Sequence, residues 1–361
     1  MFDGTYGKNL KLAIYGGSHD EKIGMTLDGF PAGEVVDTDA LMRLLARRAP
    51  GNNPWSTTRH EADEPVFLSG ISGGVTTGER IEAVIYNKNQ RSGDYQNLAD
   101  IPRPSHADYP ARVKYGSGVD LRGGGHFSGR LTAPLCIAGG LCLSALARRG
   151  IFVGAHVWSL GGVFDTPFDP VAVSPEDFRR VAESEFPVLD AQAGEKMRKI
   201  IEEARLDADS VGGIAECAVT GLPVGLGEHL FDGVENRISA IVFGIPAVKG
   251  IEFGAGFDGV STLRGSAFND PYVTDGVTIR TKTNRAGGVL GGMTTGMPLL
   301  FRAAVKPTPS IGKEQDSVSL SSIEKVKFSV KGRHDPSVLP RAIPAFEAAA
   351  AVAVFDLLLD T

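Results

Sequence analysis

Apolar and polar positions follow two periods along the chain, and the change from one to the other marks the elements. In "TDALMRLLARRAP" (38–50), Leu41, Leu44 and Leu45 recur at helical spacing, which predicts an amphipathic helix capped by Thr38 or Asp39 and stopped by Pro50. "LKLAIY" (10–15) is a short apolar run of the length of a buried strand. "EPVFLSGISGGVTTGERIEAVIYN" (64–87) alternates around glycine turns and predicts antiparallel strands and hairpins. "SPEDFRR" (174–180) opens a helix, with Ser174 as cap, Pro175 at the first helical position and Asp177 closing the box. "IAECAVTGLPVGLGE" (214–228) predicts strand, and "PAFEAAAAVAVFDLLLD" (344–360) a long alanine-rich helix.

One run is apolar throughout. Leu131 to Ala147 is short for a membrane span and contains Pro134, Gly139 and Gly140, so it predicts a buried core helix. Strands come in groups rather than alternating strictly with helices, which favours an α+β layered architecture over a doubly wound parallel sheet. At 361 residues the chain has room for two ordinary domains or one large one, and length alone leaves both open.

Composition is that of a soluble globular protein, 42% hydrophobic and 22% charged, but its 46 glycines point to turns and close backbone approaches. A net charge of −6 excludes broad attraction to nucleic acid or to an anionic membrane, so any anion must be met locally. Cys136, Cys142 and Cys217 form an odd set without Cys-x-x-Cys spacing, and no basic-then-apolar leader precedes them; the expectation is structural thiols in the cytoplasm.

The glycine-rich stretches 122–129, 253–258 and 287–296 lack the Rossmann spacing, and no P-loop pattern occurs. "RGGGHFSGR" leads into the apolar helix, so bare backbone N–H groups and a positive helix end converge beside Arg122 and Arg130, a place suited to an anion. Two further arginine clusters are Arg47 and Arg48 followed by Arg59, and Arg333 with Arg341. Arginines gathered in glycine and proline turns of an acidic chain suit phosphate and carboxylate recognition.

His19 sits on a glycine turn at the mouth of the "LKLAIY" strand, where a ring titrating near neutrality is held on a rigid scaffold. Alone, such a histidine is more often an incidental turn residue. His106 lies in the proline-bounded loop "PRPSHADYP", and Asp335 sits between His334 and Pro336. Two histidines and a carboxylate suffice to protonate a leaving group and take a proton from carbon. "GISGG" around Ser72 matches a nucleophile elbow in letters only, because the following residues continue as strand. "RHEAD" (59–63) lacks the second histidine of a zinc motif, so no metal site is expected.

Ten blocks, in order from Tyr6 to the last helix, resemble the chorismate synthase family. They are "GGSHDEKIGMTLDGFPAG" (16–33), "RRAPGNN" (47–53), "STTRHEADEPVFLSGISGGVTTG" (56–78), "NKNQRSGDY" (87–95), "RPSHADYPARVKYG" (103–116), "RGGGHFSGRLTAP" (122–134), "IPAVKGIEFGAGF" (245–257), "RTKTNRAGGVLGGMTTGMP" (280–298), "KPTPSI" (306–311) and "GRHDPSVLPRAIP" (332–344). The resemblance implies a single domain over 1–361, a sandwich of antiparallel sheets enclosing helices, and a homotetramer. It implies conversion of 5-enolpyruvylshikimate 3-phosphate to chorismate and phosphate by 1,4-anti elimination, with reduced FMN and no net redox change.

By matched position, His19 protonates the departing phosphate, His106 protonates the reduced flavin near N1, and Asp335 works with flavin N5 on the C6 hydrogen. Arg48, Arg130 and Arg341 anchor the substrate. FMN falls to His126, Phe127, Ser128, Ala247, Gly291, Lys306, Pro307, Thr308, Pro309, Ser310 and Arg333. The chain departs from many relatives at Gly17, Asp20, His126, Phe127 and Pro54, the last standing where some have an arginine linked to nicotinamide use. Whether NADPH reduces the flavin on this chain or an external reductant does so stays open. Two other readings remain at this point: an impaired flavin- or small-anion-binding homologue, and an FMN-dependent oxidoreductase that consumes reductant at every turnover.

Overall fold

A computed structural model describes residues 4–51, 63–87, 100–116, 118–330 and 335–360. Two five-stranded antiparallel sheets enclose a layer of helices. The first sheet runs β1 (Thr5–Tyr6), β2 (Lys11–Tyr15), β3 (Lys22–Asp28), β7 (Ile81–Tyr86), β4 (Val66–Ser69), with the small hairpin β5 (Ile71–Ser72) and β6 (Val75–Thr76) between the last two in sequence. The second runs β11 (Val248–Phe253), β16 (Leu299–Val305), β10 (Gly213–Thr220), β8 (Phe152–Leu160), β9 (Val163–Phe164). Separate hairpins are β12 (Tyr272–Thr274) with β13 (Ile279–Thr281), β14 (Val289–Leu290) with β15 (Met293–Thr294), and β17 (Gln315–Val318) with β18 (Lys325–Phe328).

Register puts the apolar set of the first sheet on one face. Leu12 pairs with Leu27, Ile23 with Ile85 and Met25 with Ala83, and all six are buried. That face meets α3 (Thr132–Ala147), which in turn lies along α9 (Leu339–Leu358), and α9 packs on β8 and β10 of the second sheet. The two helices approach closely through small residues: a Cβ on Gly139 would lie 2.2 Å from the Ala348 Cβ. α1 (Thr38–Arg48) and α6 (Val234–Val242) complete the layer against α9. Around it lie α2 (Asp108–Tyr115), α4 (Pro175–Glu183) on β8, α5 (Ala191–Leu206) beside β9, and the short α7 (Gly256–Thr262) and α8 (Gly265–Phe268). Each large apolar side chain buried in this layer contributes roughly 1.5–3 kcal/mol.

The structure moves three expected boundaries. Asp37, not Thr38 or Asp39, caps α1, its carboxylate accepting from the Ala40 N–H at 2.8 Å. α9 starts at Leu339, so Pro344 lies inside the helix rather than at its first position. There it denies the Pro340 carbonyl its helical N–H partner. The strand expected over 214–228 ends at Thr220, where Gly221 turns at φ +81°. The apolar run 131–147 is α3; the window Gly129–Ala147 has the length and composition to cross a membrane, yet 83% of it is buried inside this sandwich.

Candidate active site

A cavity of about 750 Å³ opens at one end of the helical layer, where α3 and α9 begin and α1 ends. Its floor is made by the glycine loop Arg122–Phe127, in which Gly123, Gly124 and Gly125 have φ of 59°, 96° and 53°. That left-handed run suits glycine, and the space beside it is taken by the two histidines. A Cβ on Gly123 would fall 2.6 Å from Nε2 of His19, and one on Gly124 would fall 3.4 Å from Nε2 of His106. Ser18 N–H donates to the Gly125 carbonyl at 3.0 Å, and His126 Nδ1 donates to the Gly16 carbonyl at 2.9 Å. The strand-end turn carrying His19 is therefore fastened to the loop.

His106 lines the cavity with its Nδ1 turned away from it, 2.6 Å from Asp108 Oδ1. Arg103 grips the same carboxylate from Nε and Nη2, both at 2.7 Å, and through its backbone N–H at 2.9 Å. Burial acts to raise the Asp108 pKa, but the bonds from Arg103 and His106 win and hold it well below the usual carboxylate range. Burial, assisted by Arg103 and Lys306 and opposed by Asp108, lowers the His106 pKa. The ring is thus held mainly neutral at pH 7.

Opposite stands a cluster of guanidiniums. Asp63, fully buried, lies 2.9 Å from Arg48 Nε and also pairs with Arg130 Nη1. Arg48 Nη1 reaches the Arg130 carbonyl at 3.2 Å, and Arg341 Nη1 the Arg48 carbonyl at 3.2 Å. Arg341 Nη2 binds Asp335 at 2.5 Å. Burial first, then Arg130 and Arg341 against the opposing pull of Asp63, brings the Arg48 pKa down to about 10. It stays charged at pH 7. Among the described residues, Arg48, Arg103, Arg130, Lys306 and Arg341 line the cavity against the carboxylates of Asp63, Asp108 and Asp335, so the lining is net positive. The positive ends of α3 and α9 point the same way.

The remaining wall is mixed. Phe127, Phe243, Ile245 and Val338 supply apolar surface, and Ser128, Thr308 and Ser310 supply hydroxyls. Ala247 holds φ +75°, a strained value for a residue with a Cβ, and its carbonyl accepts from the Lys306 N–H at 3.0 Å. Lys306 Nζ donates to the Ser105 carbonyl, and burial lowers its pKa. The buried Thr308 Oγ1 and Arg341 Nε have no hydrogen-bond partner among the described residues. Orphaned polar atoms beside apolar walls in a cationic cavity of this size fit a flat heteroaromatic ring carrying a phosphate, together with a small polyanion.

The expected site residues mostly meet here. His106, Asp335, Arg48, Arg130, Arg341, His126, Phe127, Ser128, Ala247, Lys306, Thr308, Pro309 and Ser310 all line the cavity. His19 lies just behind the glycine loop. Pro307 does not face the cavity, and Gly291 lies in the turn between β14 and β15, away from the lining. Arg333 and Pro54 lie outside the described residues. Arg122, expected beside the anion, instead faces solvent, bound to Asp120 through Nε and Nη2. Asp20 is exposed, its carboxylate lying over Gly17, 3.3 Å from where a Cβ would sit. Ser72 lies in β5 and is followed by a two-glycine turn into β6, with no helix behind it.

Arg103 and Asp63 escaped the sequence reading, and Asp108, legible there only as a neighbour of His106 in the same loop, is in the structure the partner of its ring. Arg103 and Asp108 had a signal, the Arg-x-x-His-x-Asp spacing within one short loop. Asp63 had none.

The chorismate synthase family model matches residues 10–359. A chorismate synthase of Lancefieldella parvula is 46% identical over 370 aligned residues, covering 99% of this chain and 97% of that protein. One of Thermococcus kodakarensis is 44% identical, covering 98% and 97%. A chorismate synthase crystal structure superposes with a TM-score of 0.76 at 26% identity, covering 98% of this chain and 93% of that one. With the layered sandwich, the cationic cavity and a match running almost end to end, the chain belongs to the chorismate synthase family.

Proposed function

We propose that this cavity seats reduced FMN against 5-enolpyruvylshikimate 3-phosphate and that the chain converts that substrate to chorismate and phosphate by 1,4-anti elimination. The observation carrying this is the meeting of Arg48, Arg130, Arg341, His106 and Asp335 on one net-positive cavity. They come from distant parts of the chain, and the substrate is a phosphate with two carboxylates.

Reduced FMN, when bound, supplies electron density that is returned within the turnover, so no reductant is consumed. Ala247, Lys306, Thr308, Pro309, Ser310, His126, Phe127 and Ser128 are the residues that would hold it. The guanidiniums of Arg48, Arg130 and Arg341 bind the substrate anions and fix their orientation. His19 donates a proton to the leaving phosphate, which lowers the cost of expelling a highly charged group. His106 presents Nε2 to the cavity as the nitrogen that takes up and gives back a proton. Asp335, tied to Arg341, is the carboxylate for the C6 proton. A homotetramer of single-domain subunits in the cytoplasm belongs to the same reading; exposed Phe231, Phe257 and Val277 are side chains of the kind that subunit contacts cover.

The test is anaerobic. With chemically reduced FMN and substrate, one phosphate and one chorismate should appear per turnover with no net consumption of reductant. Binding of both compounds without phosphate release would point to the impaired homologue, and stoichiometric oxidation of reductant to the oxidoreductase.

A further inference from the structure

The loop 103–108 places an arginine and a carboxylate on one nitrogen of His106. Nδ1 is 2.6 Å from Asp108 Oδ1 and 3.0 Å from Arg103 Nη2. Only one proton arrangement satisfies all three groups. If Nδ1 carried a lone pair, that lone pair would face a carboxylate oxygen at a distance far inside van der Waals contact. If Nδ1 carries the proton, it donates to Oδ1, while Arg103 Nη2 already donates to the same oxygen at 2.7 Å. Nε2 then becomes the nitrogen that gains and loses the second proton, and it makes no hydrogen bond to any described residue.

We infer that Asp108 is a positioning residue for the reaction: it locks His106 into the Nδ1–H tautomer, so that the titrating nitrogen is the one presented to the cavity. The inference rests on the reading that His106 transfers a proton. Among the described residues, the charged groups facing the ring are Asp108 from the start of α2, Arg103 from the preceding loop and Lys306 from the stretch after β16. Gly124 and Ser128 bring no charge. Asp108 is the single group of these that favours the protonated ring, while Arg103, paired to Asp108, offsets part of that effect.

Two substitutions pull in opposite directions. Asp108→Asn removes the charge that fixes Nδ1–H, and Arg103→Gln removes the cation that opposes protonation. Nitrogen-15 NMR of labelled histidines in the full chain reads tautomer and titration midpoint directly, and the pH profile of kcat reads their consequence. In Asp108→Asn, His106 should leave the Nδ1–H tautomer, its proton affinity should fall, and kcat should drop by about 10²-fold with its alkaline limb moved to lower pH. KM should change far less. Asp108→Glu should restore the tautomer, and Arg103→Gln should move the midpoint upward.

An unchanged tautomer and midpoint in Asp108→Asn overturn the inference. Should that variant fail to fold, a midpoint that stays or falls in Arg103→Gln overturns it equally. A shifted tautomer with an unmoved kcat profile upholds the hold of Asp108 on the ring and instead overturns proton transfer by His106.

Discussion

Two histidines of this chain are each pinned by an aspartate at Nδ1, and they end in opposite states. His106 meets Asp108 at 2.6 Å and His156, on β8, meets Asp165 at 2.8 Å. The difference lies at the other nitrogen. Nε2 of His156 binds Glu216 of the neighbouring strand at 3.0 Å, and the ring packs edge-on to Phe168 at 4.5 Å, with no exposure at all. Burial acts to lower its pKa, but two carboxylates outweigh burial and raise it. At His106 the single carboxylate is shared with Arg103, burial wins, and the pKa falls. One ring is a fixed cation joining two strands and a loop; the other is poised to exchange a proton with whatever occupies the cavity. What faces Nε2 decides which.

The sharpest test of that division is removal of each ring. His106→Ala should cut kcat by about 10²- to 10⁴-fold, the usual contribution of a positioned acid or base, with the denaturation midpoint little changed. A wild-type rate would end its catalytic role. His156→Ala should do the reverse, leaving buried Asp165 with backbone donors alone while Arg302 still pairs with Glu216, and costing about 3 kcal/mol in chemical denaturation. Turnover per folded molecule should hold, and a loss confined to activity would break the comparison.

The pH dependence of stability should separate them more finely. The His156 pKa is raised on folding, so its contribution is complete below the unfolded value of about 6.5 and is lost as pH rises through the folded value. The His106 pKa is lowered, so its contribution is present above about 6.5 and is lost as pH falls through the folded value. Calorimetry from acid to alkaline pH should therefore show His156→Gln losing the alkaline decline and His106→Gln losing part of the acid decline. Identical curves for both variants would mean that the rings do not differ in charge state.

The sequence already carried the layered fold, because the period of apolar positions is a local property: Leu41, Leu44 and Leu45 recur at helical spacing, and all three end on the buried face of α1. It carried the cavity through family blocks that recur in order. It did not carry the partners. Arg48 reaches Arg130 across 82 positions, and Asp63 joins them from a third segment, a contact with no periodic or spacing signature in "RHEAD". The start of α9 was hidden for another reason, since Pro344 imitates a first-turn proline while the true opening turn holds Pro340. His156 gave no signal of its function either; its two carboxylates come from a paired strand and a loop, and only strand register sets Glu216 opposite it.

The smallest expected effect uses two arginines that flank the same glycine run. Arg130 sits at the cavity with its guanidinium held by Asp63 and by Asn87 Oδ1 at 3.2 Å, whereas Arg122 is solvent-facing and bound to Asp120 two residues away. Arginine at a glycine-rich helix entry predicts an anion ligand for both, but a nearby exposed carboxylate satisfies Arg122 without one. Surface pairs of this kind contribute little. Arg122→Ala should therefore leave KM, kcat and the denaturation midpoint unchanged, while Arg130→Ala raises KM for the phosphorylated substrate by at least about tenfold, the cost of a lost charge-assisted bond. A raised KM in Arg122→Ala would bring that side chain into the binding of substrate, and the line between served and idle cations would have to be redrawn around the whole glycine loop.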